Sequence, residues 1–346
     1  MGVLLLPLFQ ESTHLFTEKR LNGFFVPAKN PTTKFENWWN GTFQDSFELA
    51  HNEQFGLRNS FVRIHNQFEY ELFKRASTNG VIVGKNDYLY EINYIKAYNG
   101  EDFIGEKAIN ELTRKIKILQ DTLAKRNITL IVAIAPGKAS YFPEFIPDEL
   151  LKKSKNTNYN WLDKSLMASG ANYINFSRWF MNEKETSKYP LLSKTGIHWS
   201  RYGSTLAVDS LIGYVETQRR IDMPSLVMNG IYWSDSLHDP DDDLGSAMNL
   251  VFPIPTKRMA YPNYSFENPL NKAKVRMLLI ADSFGWNLFD IAQAPYSFSE
   301  INYWYYNNQV FRSGERPLGA VDMNACMETE QNDVVFILST EANLSN

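Results

Sequence analysis

Leu278-Leu279-Ile280-Ala281-Asp282-Ser283-Phe284-Gly285 reads as a buried strand that stops at a small residue, an acid and a serine, and then turns into a helix. A serine at such a turn is lifted out of the sheet onto a helix N-terminus. There, backbone N–H groups and the helix dipole favour developing negative charge. This is a place for a nucleophile, although by shape alone the same serine also reads as a helix cap.

Working outward from that turn, Thr129 to Ala135 is another fully apolar, β-branched run, and it breaks at Pro136-Gly137. Before it, Leu112, Ile116, Leu119 and Leu123 form one apolar stripe between Glu106 and Arg126, the pattern of a helix laid on a sheet. Helix, buried strand and loop in that order belong to α/β folds with a parallel sheet. Asn172 to Phe176, Arg276 to Ala281 and Val334 to Leu338 are further short apolar runs of strand type, and a helix from Ser200 to about Arg219 falls between the first two. The expected fold class is therefore α/β, a three-layer sandwich with a mostly parallel sheet.

Nearer the start, residues 43–75 carry apolar positions at helical spacing, interrupted by Asn52 to Gly56, which predicts two helices around a turn. Val81-Ile82-Val83 and Tyr88 to Glu91 read as two strands separated by Lys85-Asn86-Asp87. The expected organisation is an N-terminal arm over residues 1–40 and one α/β domain over 41–346. An inserted loop region, rich in prolines and acids, is expected at about 226–264. The apolar run Val3 to Phe9 is much shorter than the roughly 20 residues that cross a bilayer. It reads either as the remnant of a membrane anchor or export signal or as a small hydrophobic plug.

With 346 residues, 44% of them hydrophobic and 14% aromatic, the chain has ample material for a large core. A net charge of −4 and the lack of a long basic run argue against nucleic acid as a partner. The single cysteine, Cys326, excludes an intramolecular disulfide and every cysteine-rich metal site, so no metal and no cofactor is expected.

A serine attacks only when a base removes its proton, and the chain offers His14, His51, His65, His198 and His238. His198 stands in Lys194-Thr195-Gly196-Ile197-His198-Trp199-Ser200, a loop that ends where Ser200 caps the next helix. Loops over strand ends are where a rigid scaffold aims functional imidazoles. His238, beside Asp239, is the reserve candidate.

Ile280-Ala281-Asp282-Ser283-Phe284 resembles the Gly-Asp-Ser block of the SGNH hydrolase superfamily, with Ala281 in place of the glycine. His198-Trp199 is similar to the Asp-x-His-Trp block of the AlgJ and AlgX type alginate O-acetyltransferases, also called DHHW-like proteins. Leu21-Asn22-Gly23, Phe55-Gly56-Leu57-Arg58, Val83 to Tyr90 and Ala135-Pro136-Gly137-Lys138 resemble further blocks of that family in the same order. The histidine block precedes the serine block, a circularly permuted order relative to ordinary SGNH esterases.

This resemblance implies an SGNH-like sandwich and an O-acetyltransferase that carries acetyl on Ser283, with His198 as base, toward a polysaccharide. It also implies an extracytoplasmic, membrane-associated setting and a membrane-bound O-acyltransferase partner. A carbohydrate acetylesterase and a non-catalytic polysaccharide-binding protein are the alternatives.

One position departs from the family: Gly196 stands where the family has its aspartate, and a glycine cannot hold the imidazole tautomer. Asp239, Asp241, Asp242, Asp243 and Asp209 are the candidate replacements, while Asp282 is expected to support the serine turn. The oxyanion hole is expected from the N–H of Ser283 or Phe284 together with Gly137 and Lys138. Lys138 reads equally well as paired with a surface carboxylate. Trp199, Trp286, Tyr303, Trp304, Tyr305 and Tyr306 could form a platform for sugar rings, although aromatic clusters are more often core.

Overall fold

The structure is a computed structural model. It describes all residues except 1, 24–27, 29–30, 153, 268–269, 293–295, 313–316, 320–323 and 346. By their internal contacts the residues form two units, one of residues 1–83 with 244–255 and one of residues 84–243 with 256–346.

The first unit holds α1 (Gly2–Thr13), α2 (Phe35–Trp39), α3 (Thr42–Gln54), α4 (Arg58–Phe73) and the short strand β1 (Val81–Val83). The helix pair predicted around Asn52 to Gly56 is present as α3 and α4. The N-terminal apolar run is helical and leaves Leu5, Leu8 and Phe9 exposed. No helix among the described residues is long and apolar enough to cross a membrane. Glu18 ties the unit together by accepting the N–H groups of Leu57 and Ser60, and Asn66 Nδ2 donates to Met248 O at 2.8 Å.

The second unit runs β2 (Leu89–Glu91), α5 (Ile92–Asn99), α6 (Glu106–Ala124), β3 (Thr129–Ala135), α7 (Lys138–Tyr141), α8 (Asn158–Ser169), β4 (Tyr173–Asn175), α9 (Phe176–Asn182) and α10 (Arg201–Arg219). After these come β5 (Leu226–Ser234), β6 (Met259–Phe266), β7 (Val275–Ala281), α12 (Gly285–Ile291), β8 (Phe298–Tyr305), β9 (Gln309–Arg312), β10 (Leu318–Gly319), α13 (Ala325–Glu330) and β11 (Val334–Thr340); α11 (Asp243–Ala247) starts at the last residue of this unit's first stretch and lies otherwise in the first unit. Residues 226–264, expected as an inserted loop region, begin and end in strand: β5 and β6 pair antiparallel from Leu226↔Phe266 to Ser234↔Met259.

Seven strands form one sheet in the order β10-β9-β8-β7-β11-β3-β4. β8, β7, β11, β3 and β4 are parallel, and β9 and β10 add an antiparallel edge. The uninterrupted apolar runs noticed in the sequence are the strands at its centre, which are covered on both faces. On one face, Leu130, Val132, Ile134, Leu278, Trp304 and Val335 pack with Ile109 and Leu123 of α6 and Leu162 and Leu166 of α8.

On the other face α12 lies against β7 and β8. A Cβ at Gly285 would meet the Ala281 Cβ at 2.7 Å and the Tyr303 hydroxyl at 2.8 Å, so this close seat of helix on sheet requires glycine. Because five strands run parallel, their C-terminal ends gather on one edge, where an α/β sheet carries its site. Ser283 follows β7, Lys138 follows β3, Tyr306 follows β8 and Glu341 follows β11 at that edge.

Candidate active site

The serine turn is tied to the sheet through Asp282. Its Oδ1 accepts the Phe284 N–H at 3.0 Å, and its Oδ2 accepts the Thr340 N–H at 2.7 Å and Asn343 Nδ2 at 2.9 Å. Its backbone carbonyl accepts the Tyr303 hydroxyl. Asp282 is buried, so its carboxylate is spent on holding the turn. Ser283 stays partly exposed at the tip.

The histidine loop reaches that tip from the far side. Leu192 and Trp199 form a bridge across the base of the loop, and Ser200 caps α10 by accepting the Gly203 N–H at 2.9 Å. This places His198 Nε2 2.8 Å from Ser283 Oγ, hydrogen-bond distance for a base to take a hydroxyl proton. On the other side of the ring, Nδ1 meets Asp243 Oδ2. The other carboxylate oxygen, Oδ1, accepts the Ile197 N–H at 2.8 Å, so one carboxylate fixes both the ring and the backbone beside it.

Burial works against the imidazolium, but the hydrogen bond and charge of Asp243, with Asp282 and Glu91 behind them, hold the His198 pKa above its ordinary value. Of the acid candidates, it is Asp243 that meets the ring. Asp209 is exposed on α10, and burial pushes the Asp241 carboxyl up to about 7. His238, the reserve base, packs its ring 5.0 Å from that of Tyr261, and its N–H is accepted by the Tyr261 hydroxyl.

Gly196 has a steric explanation. A Cβ there would lie 2.5 Å from Pro240 O and 2.6 Å from Ser193 Oγ, because the 238–243 segment fills that space on its way to deliver Asp243. The acid side chain and the room for one at 196 exclude each other.

One expected oxyanion donor is occupied, and the Lys138 side chain is placed otherwise than expected. The Gly137 N–H is taken by Glu341 Oε1 at 3.2 Å. Lys138 is fully buried and its Nζ donates to the carbonyls of Lys194 and Gly196, so its side chain does not pair with a surface carboxylate. Burial pushes its pKa down to about 7, against the pull of Asp243 and Asp242. The Phe284 N–H is also occupied, so at the serine turn it is the Ser283 N–H that has no hydrogen bond among the described residues.

The sugar platform is corrected in part. Trp199 is fully buried, its ring packed between Phe176 at 5.7 Å and Phe284 at 5.4 Å; Phe284 in turn lies 4.7 Å from the His198 ring. Trp199 therefore anchors the histidine loop from below. Tyr303 is also fully buried, and Trp304 belongs to the core on the opposite face. Of the six rings, Tyr306 is 46% exposed and Trp286 and Tyr305 partly so.

Sequence reasoning missed Glu341. It is buried and accepts the hydroxyls of Ser140 and Ser177 as well as the Gly137 N–H, joining the loops after β3, β4 and β11. Burial raises its pKa against those three donors. Its place directly after a parallel strand was the available signal.

Residues 81–225 match the family described as SGNH hydrolase-like domain, acetyltransferase AlgX. That stretch contains Lys138 and His198; Asp243 and Ser283 lie beyond it. The chain is 23% identical over 208 residues to the probable alginate O-acetylase AlgJ of Pseudomonas aeruginosa, covering 60% of this chain and 49% of that protein. It is 22% identical over 179 residues to the protein of the same name from Pseudomonas putida, covering 52% and 45%. The matched stretch thus spans about half the length of these relatives. The O-acetyltransferase domain of Pseudomonas putida AlgJ shares the fold, with a TM-score of 0.51 and 16% identity over 77% of this chain and 92% of that domain. Over residues 81–225 the chain matches the SGNH hydrolase-like AlgX family, it is similar to AlgJ proteins over about half their length, and it shares the fold of an AlgJ O-acetyltransferase domain.

Proposed function

We propose that this protein is an O-acetyltransferase that moves an acetyl group through an ester on Ser283 to a hydroxyl of a carbohydrate polymer. The observation that carries the reading is the run of contacts from Asp243 through His198 to the Ser283 hydroxyl. In the first half of the reaction Oγ attacks the acetyl carbonyl while Nε2 takes its proton. The Ser283 N–H faces the developing oxyanion, and the proton on Nε2 passes to the departing group. In the second half a sugar hydroxyl gives its proton to Nε2 and attacks the acetyl-serine, and the proton then returns to Oγ. Asp243 holds the tautomer throughout and stabilises the imidazolium.

The AlgJ resemblance supports a polysaccharide acceptor. It also supports an extracytoplasmic setting, with a membrane-bound O-acyltransferase supplying the acetyl group. Hydrolysis differs only in that water takes the place of the sugar. The ground for a non-catalytic binding protein is the glycine at 196, and the Asp243 carboxylate at the His198 ring weighs against that reading.

The test is to incubate the protein with 4-nitrophenyl acetate and oligosaccharides of several polymers and to follow acetylated sugar and free acetate. Acetylated sugar in excess of acetate, lost on Ser283→Ala by about 10⁴-fold or more, is the expected result. Acetate alone makes the protein an esterase. Turnover unchanged in Ser283→Ala overturns the reading.

A further inference from the structure

A fully buried lysine beside the site is unexplained by acyl transfer itself. Lys138 follows β3 at the sheet's C-terminal edge and points its ammonium away from solvent. Nζ donates to Lys194 O at 2.8 Å and to Gly196 O, two carbonyls of the loop that carries His198. The Tyr90 ring lies 5.8 Å from the same nitrogen, and the Leu89 N–H shares the Lys194 carbonyl at 3.1 Å.

Burying an ammonium is costly unless its hydrogens find acceptors, so its retention here calls for a function or a strong structural need. The backbone of Lys138 is anchored in turn, because Glu341 accepts the N–H of the preceding Gly137. Lys138 therefore connects a fixed strand end to the third and fifth residues before Trp199, on the segment whose position sets the 2.8 Å separation of His198 from Ser283.

We propose that Lys138 is a positioning residue for acyl transfer: its ammonium clamps the 194–196 backbone to the end of β3 and so holds His198 in line with Ser283. The proposal rests on the serine–histidine reading above. It assigns Lys138 no contact with substrate. The other supports of the loop, the Ser200 cap and the Asp243 carboxylate, act on residues 197–200. Lys138 is the side chain that ties two carbonyls of the segment before the histidine to the end of β3, beside the Leu89 N–H on Lys194 O and the Ser193 hydroxyl on the Gly196 N–H. Loss of the clamp lets that segment shift, and a displacement of about 1 Å between reacting groups costs about 10²-fold in rate.

The experiment compares the parent chain, Lys138→Met, Lys138→Gln and Ser283→Ala, using 4-nitrophenyl acetate turnover and the rate at which phenylmethylsulfonyl fluoride modifies Ser283. Methionine keeps the apolar stem and removes every donor, whereas glutamine restores two N–H groups on a shorter stem. In Lys138→Met, kcat is expected to fall about 10²-fold with KM little changed, and sulfonylation to slow in the same proportion. Lys138→Gln is expected to recover part of both rates.

A lysine that only fills the core would lower the melting temperature and leave both rates per folded molecule unchanged, and that result overturns the proposal. So does a protein that folds with neither substitution, since Lys138 is then structural alone. Parent-like rates in Lys138→Met beside an inactive Ser283→Ala sink the clamp and spare the serine reading. An active Ser283→Ala sinks the serine reading whatever Lys138→Met does.

Discussion

The serine turn and the histidine loop meet over 2.8 Å, yet they are built in opposite ways. Ser283 is held by what lies next to it: Asp282 satisfies Phe284 within the turn and Thr340 and Asn343 at the end of the neighbouring strand β11. His198 is held by remote segments, Lys138 after β3 and Asp243 from beyond the β5 strand, neither of which pairs in a sheet with the loop it supports. A site half fixed by its sheet and half fixed by loops can change its loop half without losing its fold. The acid arriving from 243 while position 196 is glycine is an instance of that freedom.

Asp243→Asn breaks the loop half at its strongest point and carries the largest expected effect. Ester turnover should fall by about 10⁴-fold, since the amide no longer holds the tautomer or balances the imidazolium, while the melting temperature moves little. A steady-state assay beside a thermal melt checks both. Installing an aspartate at 196 in that variant should not restore the rate, because the side chain has no space there. Gly196→Asp alone should cost about 3 kcal/mol of stability, read by chemical denaturation, as Pro240 and Ser193 are forced aside.

On the serine half, Asp282→Asn replaces one accepting oxygen by a donor that faces the Thr340 N–H or the Phe284 N–H. The expected loss is about 2 kcal/mol with a smaller drop in kcat than Asp243→Asn, seen by comparing denaturation curves with initial rates. If Asp282→Asn proves the more damaging to turnover, the division between a sheet-held half and a loop-held half is wrong.

The smallest effect is in the pH profile. The His198 pKa is raised, and the base form is the neutral ring, so kcat/KM for an ester should rise with pH through a value above 6.5. In Asp243→Asn the residual activity should show this limb at lower pH, because burial, which disfavours the imidazolium, is then opposed only by the charges of Asp282 and Glu91. A limb that stays in place would mean that Asp243 does not govern the ring.

The same contrast explains what could be read from the sequence. The sheet half was legible because an apolar strand and the turn after it are contiguous, so Ser283 and the supporting Asp282 could be named together. His198 was legible from its loop and its cap at Ser200. Asp243 was not, since four acids between 239 and 243 look alike in a sequence and only the path of the loop decides which carboxylate meets the ring. Lys138 was misread because nothing in its neighbours shows that an ammonium finds carbonyls 56 and 58 residues away.

The aromatic run at 303–306 was misread for a different reason. Strand alternation puts Trp304 in the core on one face and Tyr303 under α12 on the other, so four adjacent rings do not make one surface.

The most direct measurement of the central claim is mass spectrometry of the protein after brief exposure to an acetyl ester at low pH, followed by peptide mapping. The account predicts one acetyl group on Ser283, accumulating more slowly in His198→Ala and Asp243→Asn and chased off by an acceptor sugar. Acetyl on another residue, or none on Ser283 while ester is being turned over, would contradict it.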